Sequence, residues 1–375
     1  MRIAVNTRFL LKNRLEGIGW FTYETMKRIT QGHPEHEFFF LFDRKFDPDF
    51  IFSSNIKPVV LKPQSRHPIL WFIWFEISVK KFLKKNKIDL FISPDGYLPL
   101  KSNVPQLGVI HDINFFHFPQ TIPLLVRWYY NYFFPKFAHN ANRLATVSEY
   151  SKKDICQNYG IDSDKIDVVY NGANELYTPL VEAKIAETQN LISHGAPYFV
   201  FVGAFNPRKN IGRLLSAFEL FKKTTNSKIK LVIVGEKMYG TSQMTRILKG
   251  MEFKDEVIFS GRLQVDSLKN VIGSALAMIF VSYYEGFGIP ILEAMKCDVP
   301  LVVSNCTSLP EVSGDAAIYV DPFNVESIVE GMIIMSKDES LRKQLIVNAR
   351  TQREKFSWDI TANSLYKCMM KTVNQ

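Results

Sequence analysis

Apolar runs of strand length alternate with helical patterns along nearly the whole chain, and this alternation constrains the fold more than any other feature. Parallel strands need helical crossovers that cover both faces of the sheet, so their strands read as short continuous apolar runs. The pattern therefore predicts α/β architecture with parallel sheets. In the first half the expected strands are 2–6, 37–41, 58–61, 90–93, 106–110, 143–146 and 166–169. In the second half they are 198–202, 230–234, 257–259, 278–281, 301–303 and 317–319. Between them lie helices such as 210–223, with Ile211, Leu214, Leu215 and Phe218 on one face. At 375 residues the chain exceeds one ordinary core. The more polar stretch 176–196, with Pro179 inside it and Pro197 just beyond, marks the junction. The expected architecture is two Rossmann-like domains facing each other across a cleft.

Several classes are disfavoured. No apolar run reaches the roughly 18–20 residues that span a bilayer, and the N-terminus reads as a first strand with no signal-peptide pattern. Cys156, Cys297, Cys306 and Cys368 lack metal-ligand spacing and point to a reduced, cytosolic protein. The net charge is +9, and residues 1–175 hold 23 Lys+Arg against 17 Asp+Glu, a balance of +6. A basic excess favours anionic partners without choosing among phosphorylated substrates, acidic lipid and nucleic acid.

The segment Glu285-Gly-Phe-Gly-Ile-Pro-Ile-Leu-Glu293 follows the expected strand 278–281. Pro290 suits the first turn of a helix, which places Glu285 on the loop at a strand's carboxyl end and Glu293 one turn into the helix. Gly286 and Gly288 allow backbone N–H groups to approach a ligand there. In open α/β sheets, ligands bind in the crevice beyond the strand carboxyl ends. Two carboxylates and exposed amides suit a ligand bearing hydroxyls and phosphates; a plain strand–turn–helix joint is the alternative.

A second group is Gly203-Ala-Phe-Asn-Pro207-Arg208-Lys209-Asn210. A strand ends at Gly203, and Asn210 is placed to cap the next helix. Arg208 and Lys209 then stand beside a helix N-terminus, a fork and a mobile point charge for phosphate oxygens. A solvated basic turn is the alternative. In the first half, Gly17-Ile-Gly19 precedes a helix expected to begin near Phe21. It lacks the third glycine and the later acidic residue of a dinucleotide fingerprint. His111-Asp112 ends the strand 106–110, where a neutral His can bond a sugar hydroxyl and Asp112 can orient it.

The stretch 68–79 includes Trp71 and Trp74, and Lys80, Lys81, Lys84, Lys85 and Lys87 follow it. Apolar and aromatic residues beside a Lys cluster fit a helix on an anionic membrane surface, extended by the stretch 124–134. The alternative is an aromatic core with a wet lysine face. No nucleic-acid module accompanies the cluster, so no nucleic-acid partner is expected. Asp47-Pro-Asp49 and Asp162-Ser-Asp164 read as turn and capping chemistry, and neither a metal nor another cofactor is expected.

Taken together, these residues resemble the retaining, GT-B-type glycosyltransferases of the Glu-x7-Glu family, which includes bacterial mannosyltransferases. Also matching are Thr146-Val-Ser148, Val169-Tyr-Asn171-Gly172, Val234-Gly235-Glu236 and Leu309-Pro310-Glu311-Val312, whereas Asp298 stands where many members have glycine. The resemblance implies an acceptor-side domain at 1–180, a nucleotide-sugar domain at 181–356, and a terminal helix within 357–375 packing back on the first domain. It implies that Arg208 and Lys209 bind the donor diphosphate, with Gly203 in their loop. Glu293 would hold the ribose, and Glu285 with Gly286, Phe287 and Gly288 the sugar. Arg262 and Leu263 would lie near the base, His111 would reach the sugar, and Gly17 and Gly19 would line the diphosphate. The implied reaction moves a hexose, with GDP-mannose favoured, onto a glycan or polyprenyl-linked acceptor of a surface polysaccharide. It would take place in the cytoplasm, at the inner face of the membrane. UDP- or dTDP-sugar donors, a GT-B-fold sugar-nucleotide epimerase and a non-enzymatic basic membrane- or nucleic-acid-binding protein are the rivals.

Overall fold

Ile3, Ala4 and Val5 are fully buried because β1 (Arg2–Asn6) lies inside a parallel sheet covered on both faces. The computed structural model describes residues 1–12, 14–236 and 242–374, so Gln375 of the expected terminal segment lies outside the described residues. The chain divides into two compact units, Met1–Gly172 with Ser357–Gln375, and Ala173–Phe356. Besides β1, the first unit contains β2 (Glu37–Phe42), β3 (Ile56–Val60), β4 (Leu90–Ser93), β5 (Gln106–Val109), β6 (Arg143–Thr146) and β7 (Ile166–Val168). They form one parallel sheet in the order β3-β2-β1-β4-β5-β6-β7, with Ile3 opposite both Phe38 and Leu90. Pro58 sits in β3, an edge strand, where its missing N–H costs no ladder bond.

The helix Trp358–Val373 completes this unit. It packs on the helix Gly17–Gly32 and buries Trp358, Leu365, Cys368 and Met369. Thr361 Oγ1 donates to the Tyr170 carbonyl at 2.7 Å, and Lys371 Nζ meets Asp167 at 2.6 Å. A Cβ at Gly172 would lie 2.5 Å from the Trp358 nitrogen, so only glycine allows this approach.

The second unit contains β8 (Tyr198–Val202), β9 (Lys230–Val234), β10 (Val257–Gly261), β11 (Ala277–Phe280), β12 (Leu301–Ser304) and β13 (Ala317–Val320). Their order is β10-β9-β8-β11-β12-β13, again all parallel. The chain runs outward from β8 to β10 and then returns to β8's other side as β11, so the strand order reverses between β8 and β11. That reversal is the topological switch point at which doubly wound sheets bind ligands. The first unit reverses in the same way between β1 and β4. The expected fold class is thus found, two parallel-sheet Rossmann-like domains. Residues 173–180 belong to the second unit, where Leu180 packs against Gly273.

Candidate active site

The loops after β8 and β11 meet at the second unit's switch point. After β8, the Asn206 side chain accepts from Arg208 N at 3.1 Å and starts a single turn, Pro207–Lys209. Asn210 then takes a left-handed conformation (φ 59°) and makes no side-chain cap. This corrects its expected capping role. Its amide donates instead to the carbonyls of Val281 (2.9 Å) and Pro322 (2.7 Å), joining the β8 loop to the β11 loop. The turn aims both cations at one carboxylate. Arg208 Nη1 reaches Glu285 Oε2 at 2.9 Å and the Tyr284 carbonyl at 2.9 Å, and Lys209 Nζ reaches Glu285 Oε1 at 2.5 Å.

The group is dry. Glu285 is 6% exposed and Lys209 8%. Burial opposes the charge on Glu285, but Lys209 and Arg208 outweigh it and hold the carboxyl down at about 2. Ser308 Oγ donates to the Glu285 carbonyl at 2.9 Å, and Glu285 N donates to Thr307 Oγ1 at 3.4 Å. Gly203 lies against Lys209. Across from it, a Cβ at Gly235 would overlap the Gly203 carbonyl oxygen at 2.0 Å, so glycine is obligatory there. Gly286 and Phe287 are buried, and Gly288 (φ 97°) leads into the helix Ile289–Lys296 with Pro290 in its first turn. Arg262, exposed, and Leu263, half-buried, follow β10 on the same carboxyl edge.

Glu293 faces a different environment. It is half-buried and accepts a hydrogen bond from the buried Tyr177 hydroxyl. Burial raises its carboxyl to about 7 against the opposing pull of that bond. Tyr177, Thr307 and Ser308 were not singled out from the sequence. Tyr177 falls in the polar stretch that reads as a linker, and Ser308 directly precedes the matching Leu309-Pro310-Glu311 run. At Asp298 the backbone keeps a glycine-like left-handed φ of 57°, and the carboxylate is held by Arg350 (2.6 Å) and Arg353 (2.9 Å).

In the first unit the helix begins at Gly17, not near Phe21, so Gly17 and Gly19 both lie in its first turn. A Cβ at Gly19 would press on the Phe9 carbonyl oxygen at 3.0 Å, whereas Gly17 faces open space. His111 Nε2 lies 2.9 Å from the Pro94 carbonyl, and burial lowers its pKa. A neutral ring donating through Nε2 leaves Nδ1 as an acceptor. Asp112 does not orient it: Oδ1 accepts from Asn114 N at 2.9 Å and caps the following turn. This unit's switch point is filled by a buried cluster that the sequence reading missed. Asn6 Nδ2 donates to Asp95 Oδ1 at 2.8 Å, and Arg8 Nε to Asp95 Oδ2 at 2.6 Å.

Residues 16–175 match the family described as Glycosyltransferase Family 4, and residues 183–352 match Glycosyl transferases group 1. The chain is a glycosyltransferase. Among its relatives, the O-antigen chain mannosyltransferase B of Escherichia coli is 27% identical, covering 97% of this chain and 96% of that one. The O-antigen chain mannosyltransferase RfbU of Salmonella typhimurium is 28% identical over 73% and 72%. Solved structures share the GT-B fold at low identity. The sucrose-phosphate synthase of Thermosynechococcus elongatus superposes with a TM-score of 0.78 at 18% identity, covering 98% of this chain and 97% of that one. HepE of Anabaena, in complex with UDP-glucose, gives 0.75 at 15%, covering 99% and 100%.

This glycosyltransferase also carries an apolar and basic surface on its first unit, composed differently from the sequence reading. Trp74 is 0% exposed and its indole donates to the Leu61 carbonyl at 3.0 Å, so it cannot meet a bilayer. Trp71 is half-buried, donates to the Ser65 carbonyl and stacks on Tyr130. The residues left outside are Ile69, Phe72 and Ile77, followed by Lys81, Lys84 and Lys85, with Lys80 half-exposed. On the helix Leu124–Asn140, Leu124 (79% exposed), Trp128 (57%), Tyr132 and Lys136 recur every fourth position, and Phe72 meets Phe133 between the helices. Among the described residues, no helix is long and apolar enough to cross a membrane.

The two carboxyls give the second unit opposite pH responses. Glu285 binds its proton more weakly folded than unfolded, so it contributes stability at neutral pH that is lost as pH falls from 4.5 to about 2. Glu293 binds its proton more tightly when folded and costs stability as pH rises from 4.5 to about 7. Glu293→Gln should therefore stabilise the ligand-free chain at pH 8 by about 2 kcal/mol, discounted for partial exposure, and have little effect at pH 4.5. Urea midpoints at the two pH values check this; equal shifts at both would contradict it.

Proposed function

We propose that the enzyme transfers a hexose, with mannose favoured, from a nucleoside-diphosphate sugar to a glycan or polyprenyl-linked acceptor in surface polysaccharide synthesis, with retention at the anomeric carbon. The observation that carries this reading is the Arg208–Glu285–Lys209 group: two cations oriented before any ligand arrives, at the edge where such sheets bind nucleotides. As the sugar–phosphate bond breaks, negative charge grows on the leaving diphosphate. Cations fixed in a largely buried site stabilise that charge without reorganising at the moment of reaction. In this reading Arg208 and Lys209 hold the diphosphate, with Gly203 beneath them. Glu285 and the Gly286–Phe287–Gly288 backbone hold the sugar hydroxyls.

Glu293, backed by Tyr177, receives the ribose hydroxyls, and Arg262 and Leu263 lie by the base. The leaving phosphate oxygen takes the acceptor proton, so the chain contributes positioning and charge stabilisation, and neither a metal nor a cofactor. GDP-mannose is the favoured donor because two relatives are named as O-antigen mannosyltransferases. A UDP- or dTDP-sugar is the second reading, supported by the UDP-glucose held by a protein of the same fold.

Lys209→Ala should reduce turnover by orders of magnitude even at temperatures where the variant, destabilised by the stranded Glu285 carboxylate, is still fully folded. Near-normal turnover would remove Lys209 from the reaction. A thermal-shift panel of GDP-mannose, UDP-glucose and dTDP-glucose names the donor, because a ligand that binds only the folded state raises its melting temperature.

We further assign an anionic membrane partner to the first unit, placing the enzyme at the cytoplasmic face of a membrane. Both exposed stripes run from apolar to basic, from Leu124 and Trp128 to Lys136, and from Ile69 and Phe72 to Lys80, Lys81, Lys84 and Lys85. Replacing these four lysines with glutamine should release the protein from phosphatidylglycerol vesicles, and Trp128→Ala should weaken binding at high salt as well. Unchanged partitioning of the lysine variant would defeat the assignment.

A further inference from the structure

The tetrapeptide His33-Pro34-Glu35-His36 closes the helix Gly17–Gly32 and leads into β2. Its backbone is fixed by the Asn55 amide, which donates to the carbonyls of Thr30 (3.0 Å), His33 (3.1 Å) and His36 (3.1 Å). Its imidazoles are fixed by Tyr366 on the terminal helix. The His33 ring lies on the Tyr366 ring with centroids 3.5 Å apart and planes 11° from parallel. His36 Nε2 lies 2.9 Å from the Tyr366 hydroxyl. Glu35 stands between the imidazoles, its Oε1 3.2 Å from His33 Nδ1 and 3.5 Å from His36 Nε2. Each of the three residues turns a ligand atom to within 4.8 Å of the others, the one such His/Cys/Asp/Glu group among the described residues.

Ligand atoms about 2.0–2.2 Å from a tetrahedral ion stand roughly 3.3–3.6 Å from one another. The separation of 3.5 Å falls within that range and that of 3.2 Å just below it. We propose that His33, Glu35 and His36 form a zinc-class metal site. Two imidazoles and one carboxylate suit a borderline divalent ion and disfavour magnesium and calcium, which prefer all-oxygen shells. The Tyr366 oxygen lies 2.9 Å from His36 Nε2, beside these three ligands. The site lies ahead of β2, at the amino end of the first sheet, opposite the strand ends that carry His111. The ion would brace the turn before β2, and the His36–Tyr366 hydrogen bond ties that turn to a helix 330 residues later in the sequence. Because the folded turn holds the three side chains already converged, binding favours the folded first unit, by the difference between its affinity and that of the same tetrapeptide unfolded. The inference is independent of the reaction proposed above.

The test uses the full chain without a histidine tag, stripped with chelator. Zn2+ is followed by titration calorimetry, and Co2+ by its visible spectrum. One-to-one uptake, the intense cobalt bands of tetrahedral coordination and a raised melting temperature are expected. His33→Ala and His36→Ala should each weaken uptake at least tenfold and abolish the bands, and Glu35→Gln should weaken it. His33→Ala leaves the His36–Tyr366 bond in place, so it reports on the site even if His36→Ala unfolds. Uptake unchanged in His33→Ala, or no saturable uptake by the folded parent chain, would overturn the proposal.

Discussion

The carboxylate of Glu285 is the constraint around which the second unit's site is organised. Burying it is unfavourable by itself, and only the two cations beside it make its charged form acceptable. Removing one partner of such a buried group costs about 3–5 kcal/mol, because the remaining charge is stranded. That penalty fixes the Pro207–Lys209 turn and the Tyr283–Glu285 loop against each other, with Asn210 bridging the backbones behind them. The cations are thus held in place before a donor binds. An exposed pair of basic residues would have to be ordered by the substrate, at the expense of its binding energy.

Glu285 and Glu293 are two carboxylates in one loop-and-helix segment with opposite tendencies. One is held at about 2 by adjacent cations; the other is raised to about 7, with a phenol as its hydrogen-bond partner. The first can bind only as an anion, whereas the second can exchange hydrogen bonds with hydroxyls while only partly ionised near neutrality. Separating two like groups in this way is how one segment performs two tasks.

Much of the fold was legible because burial on both faces gives parallel strands an unmistakable apolar signature. Every expected strand is present, with ends moved by at most two residues. Strand order was not legible: nothing local tells β11 to lie beside β8. At the site, the glycines, Pro290 and the Arg-Lys pair could be read from turn and helix-start chemistry. The misses share a cause, since each depends on a partner distant in sequence. Asn210 abandons its cap for carbonyls supplied by Val281 and Pro322. Trp74 turns inward because the Leu61 carbonyl is there to receive its indole. Asp112 follows the nearer rule of turn capping, and Tyr177 gains meaning only once Glu293 lies beside it.

The helix Trp358–Val373 has a consequence for how the molecule is made. It is an integral part of the first unit, yet its codons are read only after those of the whole second unit. A ribosome therefore finishes all of the second unit while the surface that Trp358, Leu365 and Met369 will cover on the first is still bare. During translation the later half can settle as a unit, and the earlier half must wait for it. The order of birth and the order of completion are reversed.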